Sequence, residues 1–162
     1  MKKKNNKTIL NRELVDSMMK NRAVRTSITK ESHNWFFHFY MSHYVKYETA
    51  PFQKEMLMLT EGSDPLIVIS AFRGSAKSTI FTLSYPIWAI LGKQKKKFVL
   101  ILSQNQHQVK RHFINLRKEL ESNKVLAQDL GPFKEDVDEW GVSAISISNY
   151  DAKIVAASLE QN

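Results

Sequence analysis

At 162 residues the chain has the length of one domain, enough to bury roughly 70% of the surface its unfolded form exposes. A composition of 43% hydrophobic and 25% charged residues, with nine Phe, five Tyr and three Trp, excludes collagen-like, mucin-like and wholly disordered chains. The absence of cysteine excludes disulfides, thiolate metal sites and a Cys nucleophile, and the net charge is +8, from 24 basic and 16 acidic residues.

The charge is uneven. Residues 1–30 hold nine basic side chains (Lys2, Lys3, Lys4, Lys7, Arg12, Lys20, Arg22, Arg25, Lys30) against Glu13 and Asp16, whereas residues 31–162 are nearly neutral. Residues 1–30 therefore read as a basic, partly disordered arm, able to neutralise nucleic-acid phosphates or simply to stay solvated. Met1 to Leu10 lacks the apolar run of a signal peptide, so the expected location is the cytoplasm.

Leu10, Leu14 and Met18 at i, i+4, i+8 predict a short helix over 9–25, with cap-like residues from Ser27 to Glu31. Asn34 to Val45 is dense in aromatics and reads as a buried helix. Pro51 suits the first turn of the next helix, where its missing N–H costs nothing. Leu66-Ile67-Val68-Ile69 lies between turn signals and predicts a strand buried on both faces. Ile80 to Leu91 predicts an apolar helix ending at Gly92; at about 12 residues, with Pro86 inside, it is too short to span a bilayer. A lysine run (Lys93, Lys95, Lys96, Lys97) reads as a solvated turn before a second buried strand, Phe98 to Leu102. Gln104 to Ser122 is amphipathic, with Val109, Phe113, Leu116 and Leu120 at helical spacing. Leu130-Gly131-Pro132 breaks the chain before an acidic loop (Glu135, Asp136, Asp138, Glu139) and Trp140. Ala144 to Ser148 and Lys153 to Ala157 form the last strand pair, turned by Asn149-Tyr150-Asp151. The alternation of strands and helices argues for an α/β sheet, mostly parallel, with a locally antiparallel final hairpin. None of the five His forms a His-x-x-x-His pair, so a helical metal site has no support.

The chemistry concentrates in Ala71-Phe72-Arg73-Gly74-Ser75-Ala76-Lys77-Ser78-Thr79, a small-residue loop between the predicted strand and helix. It resembles the P-loop, G-x-x-x-x-G-K-[ST], in which backbone N–H groups converge on a phosphate at a helix N-terminus. Lys77 would reach the β- and γ-phosphates, Ser78 would ligate Mg²⁺ and Thr79 would add a contact. Ala71 and Ala76 stand where the pattern has glycine, and a positive φ at either would cost about 1 kcal/mol. Gly74 can supply one free turn. Arg73 could stabilise charge developing during phosphoryl transfer, as an arginine finger in cis, or remain solvated.

Phe72 to Thr79 is similar to the loop of large subunits of bacteriophage terminases, the ATP-driven DNA-packaging motors of tailed phages, whose loops often carry an arginine and depart from the two-glycine rule. The aromatic helix and Pro51 to Met56 look like the segment that precedes that loop. Phe98 to Glu121 is similar to the family's second strand and helix, and Lys153 to Ser158 resembles the hairpin strand before Walker B. The resemblance spans residues 31–162, with specificity in the loop alone. It implies a P-loop NTPase-type three-layer α/β domain with a mostly parallel sheet, incomplete, after a helical N-terminal segment. It implies ATP and Mg²⁺ as cofactors. Phe52 and Gln53 would lie near the adenine, with Phe72, Gly74, Ser75, Ala76, Lys77, Ser78 and Thr79 along the nucleotide. Arg73 and Lys77 would act on the transferred phosphoryl group. Double-stranded DNA is the implied partner, with the small terminase subunit and portal protein in the longer form, possible oligomers, and a phage- or prophage-bearing bacterial cytoplasm as location.

Hydrolysis also needs an acidic site, usually four apolar residues followed by Asp-Glu or Asp-Asp. Val99 to Leu102 ends in Ser103, Asp136 to Glu139 follows no apolar strand, and Val155 to Ala157 ends in Ser158. The expectation is therefore the front portion of a packaging ATPase, ending before Walker B and the nuclease domain. The alternatives are a non-enzymatic remnant or small nucleic-acid-binding protein, and another P-loop NTPase such as a helicase-like ATPase.

Overall fold

The computed structural model describes residues 16–17, 19–133 and 143–160. Asp16, Ser17, Met19 and Lys20 are helical, and after the break at Asn21 comes helix α1 (Arg22–Glu31), capped by Asn21, whose side-chain oxygen accepts from the N–H groups of Ala23 and Val24. Ser27 to Glu31, expected to carry caps, is helical, and the cap of the following helix is Ser32. Leu10, Leu14 and Met18 lie outside the described residues. The boundary drawn between residues 30 and 31 falls at the end of α1, which docks on the body.

The aromatic segment forms α2 (His33–Tyr40) and a 3₁₀ turn, Ser42–Tyr44. Phe36, Phe37 and Tyr40 are buried, so its density serves the core. Helix α3 (Pro51–Glu61) opens on proline, as expected. A helical stretch starts at Lys77, widens to a π-helix over Thr79–Ser84 and continues as α4 (Tyr85–Leu91). Pro86 explains the irregularity: it offers no N–H and its ring crowds the preceding turn, which the wider π geometry relieves. Strand β1 (Phe98–Ser103), helix α5 (Gln106–Ser122) and a short α6 (Lys124–Leu130) follow. Helix α6 was not expected; Asn123 starts it by accepting from the Leu126 N–H, while its amide donates to the Tyr40 carbonyl. The acidic loop and Trp140 lie outside the described residues.

Strands β2 (Ala144–Ile147) and β3 (Ala152–Ser158) are antiparallel, joined through a 3₁₀ turn and Asp151 in the left-handed region. Strand β1 pairs with β3 in parallel, giving the order β1-β3-β2. The chain is thus mixed α/β with a small mixed sheet, rather than mostly parallel. One sheet face, with Ile101, Ile145, Ile147, Ile154 and Ala156, is buried; α5 packs against β1 and β3 through an apolar stripe of Val109, Phe113, Leu116 and Leu120.

Two expectations about burial are corrected. Leu66 to Ile69 pairs with no strand among the described residues, and Leu66 and Val68 are 80% and 86% exposed. A β-branched run needs neighbours to become a buried strand, and here it has none on either side. Strand β1 is buried on one face only: Phe98, Leu100 and Leu102 are exposed because β1 is a sheet edge and no second helical layer covers that face among the described residues. A three-layer arrangement is accordingly not what these residues form.

Polar ties fix the helices. The Arg25 guanidinium donates from Nε and Nη2 to the two oxygens of Asp129, at 2.6 Å each, and the Tyr40 hydroxyl donates to Oδ2 at 3.0 Å. The Asp129 side chain is inaccessible to solvent and that of Arg25 nearly so. Burial first, and the adjacent carboxylate, push the Tyr40 hydroxyl above its ordinary range. Arg25 is thereby withdrawn from any nucleic-acid contact. Glu119, also buried, accepts from His43, Tyr44 and Asn123 and joins α5 to the aromatic segment.

His33 is fully buried, stacked on Trp88 with ring centroids 5.2 Å apart. Thr60 spends its proton on the Leu57 carbonyl, so the His33 Nδ1–H donates to Thr60 Oγ1 at 2.6 Å and Nε2 accepts from the Ser84 hydroxyl at 2.9 Å. Burial, reinforced by His38, pushes the imidazole pKa down to about 3.

Removing Asp129 leaves a guanidinium buried without a counter-charge, so Asp129→Ala loses about 3 kcal/mol or more in urea unfolding. For His33 the folded pKa lies below the unfolded value of 6.5, so between the two the unfolded chain binds a proton that the folded chain excludes. Its contribution is complete above pH 6.5 and declines as pH falls toward 3, by up to about 1.4 kcal/mol per pH unit. Unfolding between pH 7 and 5 checks this: His33→Asn is less stable at pH 7 yet shows the shallower decline, and equal slopes would contradict the assignment.

Candidate nucleotide-binding site

The loop between Ala71 and Thr79 holds two left-handed backbone positions, Gly74 at φ 88° and Ala76 at φ 66°. A Cβ on Gly74 would meet nothing within 4 Å, so glycine is required there by φ and not by space. Ala76 carries the strain that its methyl group imposes. The turn is closed by Ser75 N–H donating to the Phe72 carbonyl at 3.3 Å, and the helix locks on through Ile80 N–H to the Ala76 carbonyl at 3.0 Å. No backbone acceptor among the described residues engages the N–H groups of Gly74 and Ala76. The Ser75 hydroxyl is buried without a hydrogen-bond partner, which costs free energy in the absence of a ligand or water.

Lys77 turns back over the loop, its Nζ 3.4 Å from the Ala71 carbonyl. Arg73 and Ser78 are exposed beside it. Thr82 donates to the Ser78 carbonyl at 2.7 Å and accepts from the His112 Nδ1–H at 3.2 Å, which ties α5 to the first turn after the loop. Burial, with Arg111 nearby, lowers the His112 pKa and favours this neutral donor.

Beside the loop lies a cavity of about 340 Å³. Phe52, Gln53, Gly74, Ala76 and Thr79 line it from the loop side, and the segment from Tyr44 to Ala50 closes the opposite wall. Phe72 stands edge-on to Phe52, centroids 5.3 Å apart. Gln53 is a brace: its Oε1 accepts from the Ala50 N–H at 3.0 Å and its Nε2 donates to the Ser75 carbonyl at 3.3 Å. One N–H and one oxygen lone pair of that amide remain for another partner.

Of the residues expected at a nucleotide, the structure brings Phe52, Gln53, Gly74, Ala76 and Thr79 to one cavity and sets Phe72, Ser75, Lys77 and Ser78 along its loop. The wall from Tyr44 to Ala50 was missed: Tyr44 and Val45 read as part of the buried aromatic helix, and residues 46–50 carried no expectation. The polar run Lys46 to Thr49 between two helices was the available signal. For Mg²⁺ the loop offers the Ser78 hydroxyl; no cluster of three or more His, Asp or Glu that could hold a metal occurs among the described residues. Asp129 is held by Arg25, and Asp151 sits at the β-hairpin turn. No helix of the described residues is long and apolar enough to cross a membrane. No family model, curated protein or solved structure matches the chain.

The strain at Ala76 makes a direct prediction. Ala76→Gly is neutral or stabilising by up to about 1 kcal/mol, because release from the left-handed penalty offsets the added freedom of the unfolded chain. Ala127→Gly in helix α6 loses about 1 kcal/mol instead. Denaturant unfolding of the two variants checks the contrast.

Proposed function

We propose that residues 71–79 bind the polyphosphate of a nucleoside triphosphate, with the base in the adjoining cavity, and that the chain is the front portion of a terminase-like DNA-packaging ATPase. The observation that supports it best is the left-handed Ala76 immediately before Lys77. A non-glycine residue is held there against its own preference, which is the kind of local strain that collects at ligand sites. The unpartnered Ser75 hydroxyl and the free Gly74 and Ala76 N–H groups fit an anion of several oxygens.

In this reading the Lys77 ammonium exchanges its long contact with the Ala71 carbonyl for the β- and γ-phosphates. Ser78 presents its hydroxyl to Mg²⁺, which neutralises phosphate charge when bound. Thr79 adds a contact at the cavity floor, and Arg73, without a partner among the described residues, is free to reach the terminal phosphate. Phe52 and Phe72 offer aromatic surface to the base, and Gln53 holds the loop while keeping one donor and one acceptor for the base edge. The packaging assignment rests on the loop's likeness to terminase large subunits. Double-stranded DNA would then be the substrate moved, and the small terminase subunit and portal protein would be partners of the longer form.

The test is thermal unfolding with nucleotide. At a hundredfold excess over Kd, Mg·ATP contributes about 2.7 kcal/mol, and each kcal/mol moves Tm by about 2–4 °C at this size. ATP is expected to raise Tm by several degrees, AMP by little, and Lys77→Ala to abolish the ATP effect. A flat response to ATP in the parent chain would overturn the proposal.

A further inference from the structure

The lysine run read as a solvated turn is, in the structure, a fixed one. Gly92 ends α4 where a Cβ would lie 2.6 Å from Trp88 Nε1 and 2.9 Å from the Lys30 carbonyl, so the chain passes tightly over the end of α1. The Lys93 N–H donates to the Lys30 carbonyl and the Lys96 N–H to the Ala89 carbonyl, both at 2.8 Å. Between the lysines, Gln94 turns inward: its amide donates to the Thr60 carbonyl and its oxygen accepts from the Tyr85 hydroxyl. With Gln94 pinned, Lys93, Lys95 and Lys96 are held outward, and Lys95 sits in the left-handed region at φ 49°. A lysine has no intrinsic reason to occupy that conformation.

The turn brings the end of α1 and the start of β1 to one groove of about 410 Å³, lined by Lys30, Lys93, Lys95 and Lys97 against Glu31 and Asp151. Of these lysines only Lys97 is engaged, donating to the Tyr150 carbonyl at 2.7 Å and lying 3.5 Å from Asp151. Lys153 lies in an adjoining depression that shares Lys97 and Asp151. Four ammonium groups against two carboxylates leave the groove net positive, which favours a polyanion.

We propose that this groove takes the phosphodiester backbone of duplex DNA, as a second anion site that does not depend on nucleotide binding at residues 71–79. The favoured occupant is a nucleic acid rather than an anionic bilayer because the surface is concave and offers no apolar side chain for insertion. Its large apolar residues, Ile90 and Leu91, are 1% and 2% exposed. Interactions of this kind go to phosphates and carry no sequence preference.

The test uses the full chain and a labelled 20-base-pair duplex of arbitrary sequence, titrated across a range of salt. The variant is Lys93→Gln, Lys95→Asn, Lys97→Gln, all three lining the groove, with asparagine chosen because it tolerates the left-handed region. The basic N-terminal residues are common to both proteins and cancel in the comparison. The expected result is Kd weakened about tenfold or more near 0.1 M salt and a salt slope reduced by about 0.9 for each phosphate that is no longer neutralised. Lys93→Arg with Lys97→Arg keeps parental affinity, and Lys118→Gln, an exposed lysine of α5 outside the groove, leaves DNA binding unchanged. An unchanged Kd and slope in the triple variant would overturn the proposal. So would loss of binding to phosphatidylserine vesicles with DNA affinity retained, which would assign the groove to a membrane surface. Should the triple variant lose its thermal transition, Lys93→Gln with Lys97→Gln, which leaves the strained position intact, decides by the same two readings.

Discussion

A neutral imidazole joins the three helical segments on which the loop depends. His33 projects from α2, donates to Thr60 of α3 and accepts from Ser84 of the π segment. Thr60 and Ser84 can each satisfy it in only one sense, because the Thr60 proton is already given to Leu57. The tautomer, the rotation of the ring and the separation of the helices are fixed together. Ser84 lies in the same continuous helix that begins at Lys77, so the position of the loop is set by a hydrogen-bond network buried several residues away. Trp88, stacked on the imidazole, donates to the Thr29 carbonyl and extends the tie to α1.

From that frame the loop inherits its conformation. Gln53, one turn into α3, holds the Ser75 carbonyl. Thr82, itself held by His112, donates to the Ser78 carbonyl from the other side. The peptide between those anchors has Ala76 forced to positive φ, and no backbone acceptor among the described residues engages the N–H groups of Gly74 and Ala76. The strain is small, about 1 kcal/mol, beside the burial of the aromatic and aliphatic core that sustains it. The lysine turn follows the same logic: Gln94 and the Lys30 carbonyl anchor a backbone that displays charge outward.

Much of this was legible in the sequence. The helices at Pro51, Ile80 and Gln104 follow from proline placement and from apolar spacing with period 3.6. The last strand pair follows from β-branched runs around Asn149-Tyr150-Asp151. The loop was visible because Lys-Ser-Thr after small residues is a local pattern, and local chemistry survives folding. Burial was not legible at Leu66 to Ile69 and on one face of Phe98 to Leu102, because burial belongs to the neighbours a strand finds and not to its own residues. The roles of Arg25, His33 and Asp129 were hidden for the same reason: each is defined by a partner far away in sequence. The wall from Tyr44 to Ala50 was not legible because its aromatics, Tyr44 and Tyr47, adjoin a run of buried ones in sequence yet are exposed.

The most direct test of the central claim is the amide spectrum of the ¹⁵N-labelled chain titrated with Mg·ATP and, separately, with adenosine. The account predicts that ATP moves the N–H resonances of Gly74, Ser75, Ala76, Lys77 and Ser78 most, and that adenosine leaves them in place. ATP-induced shifts that spare these five residues would contradict it.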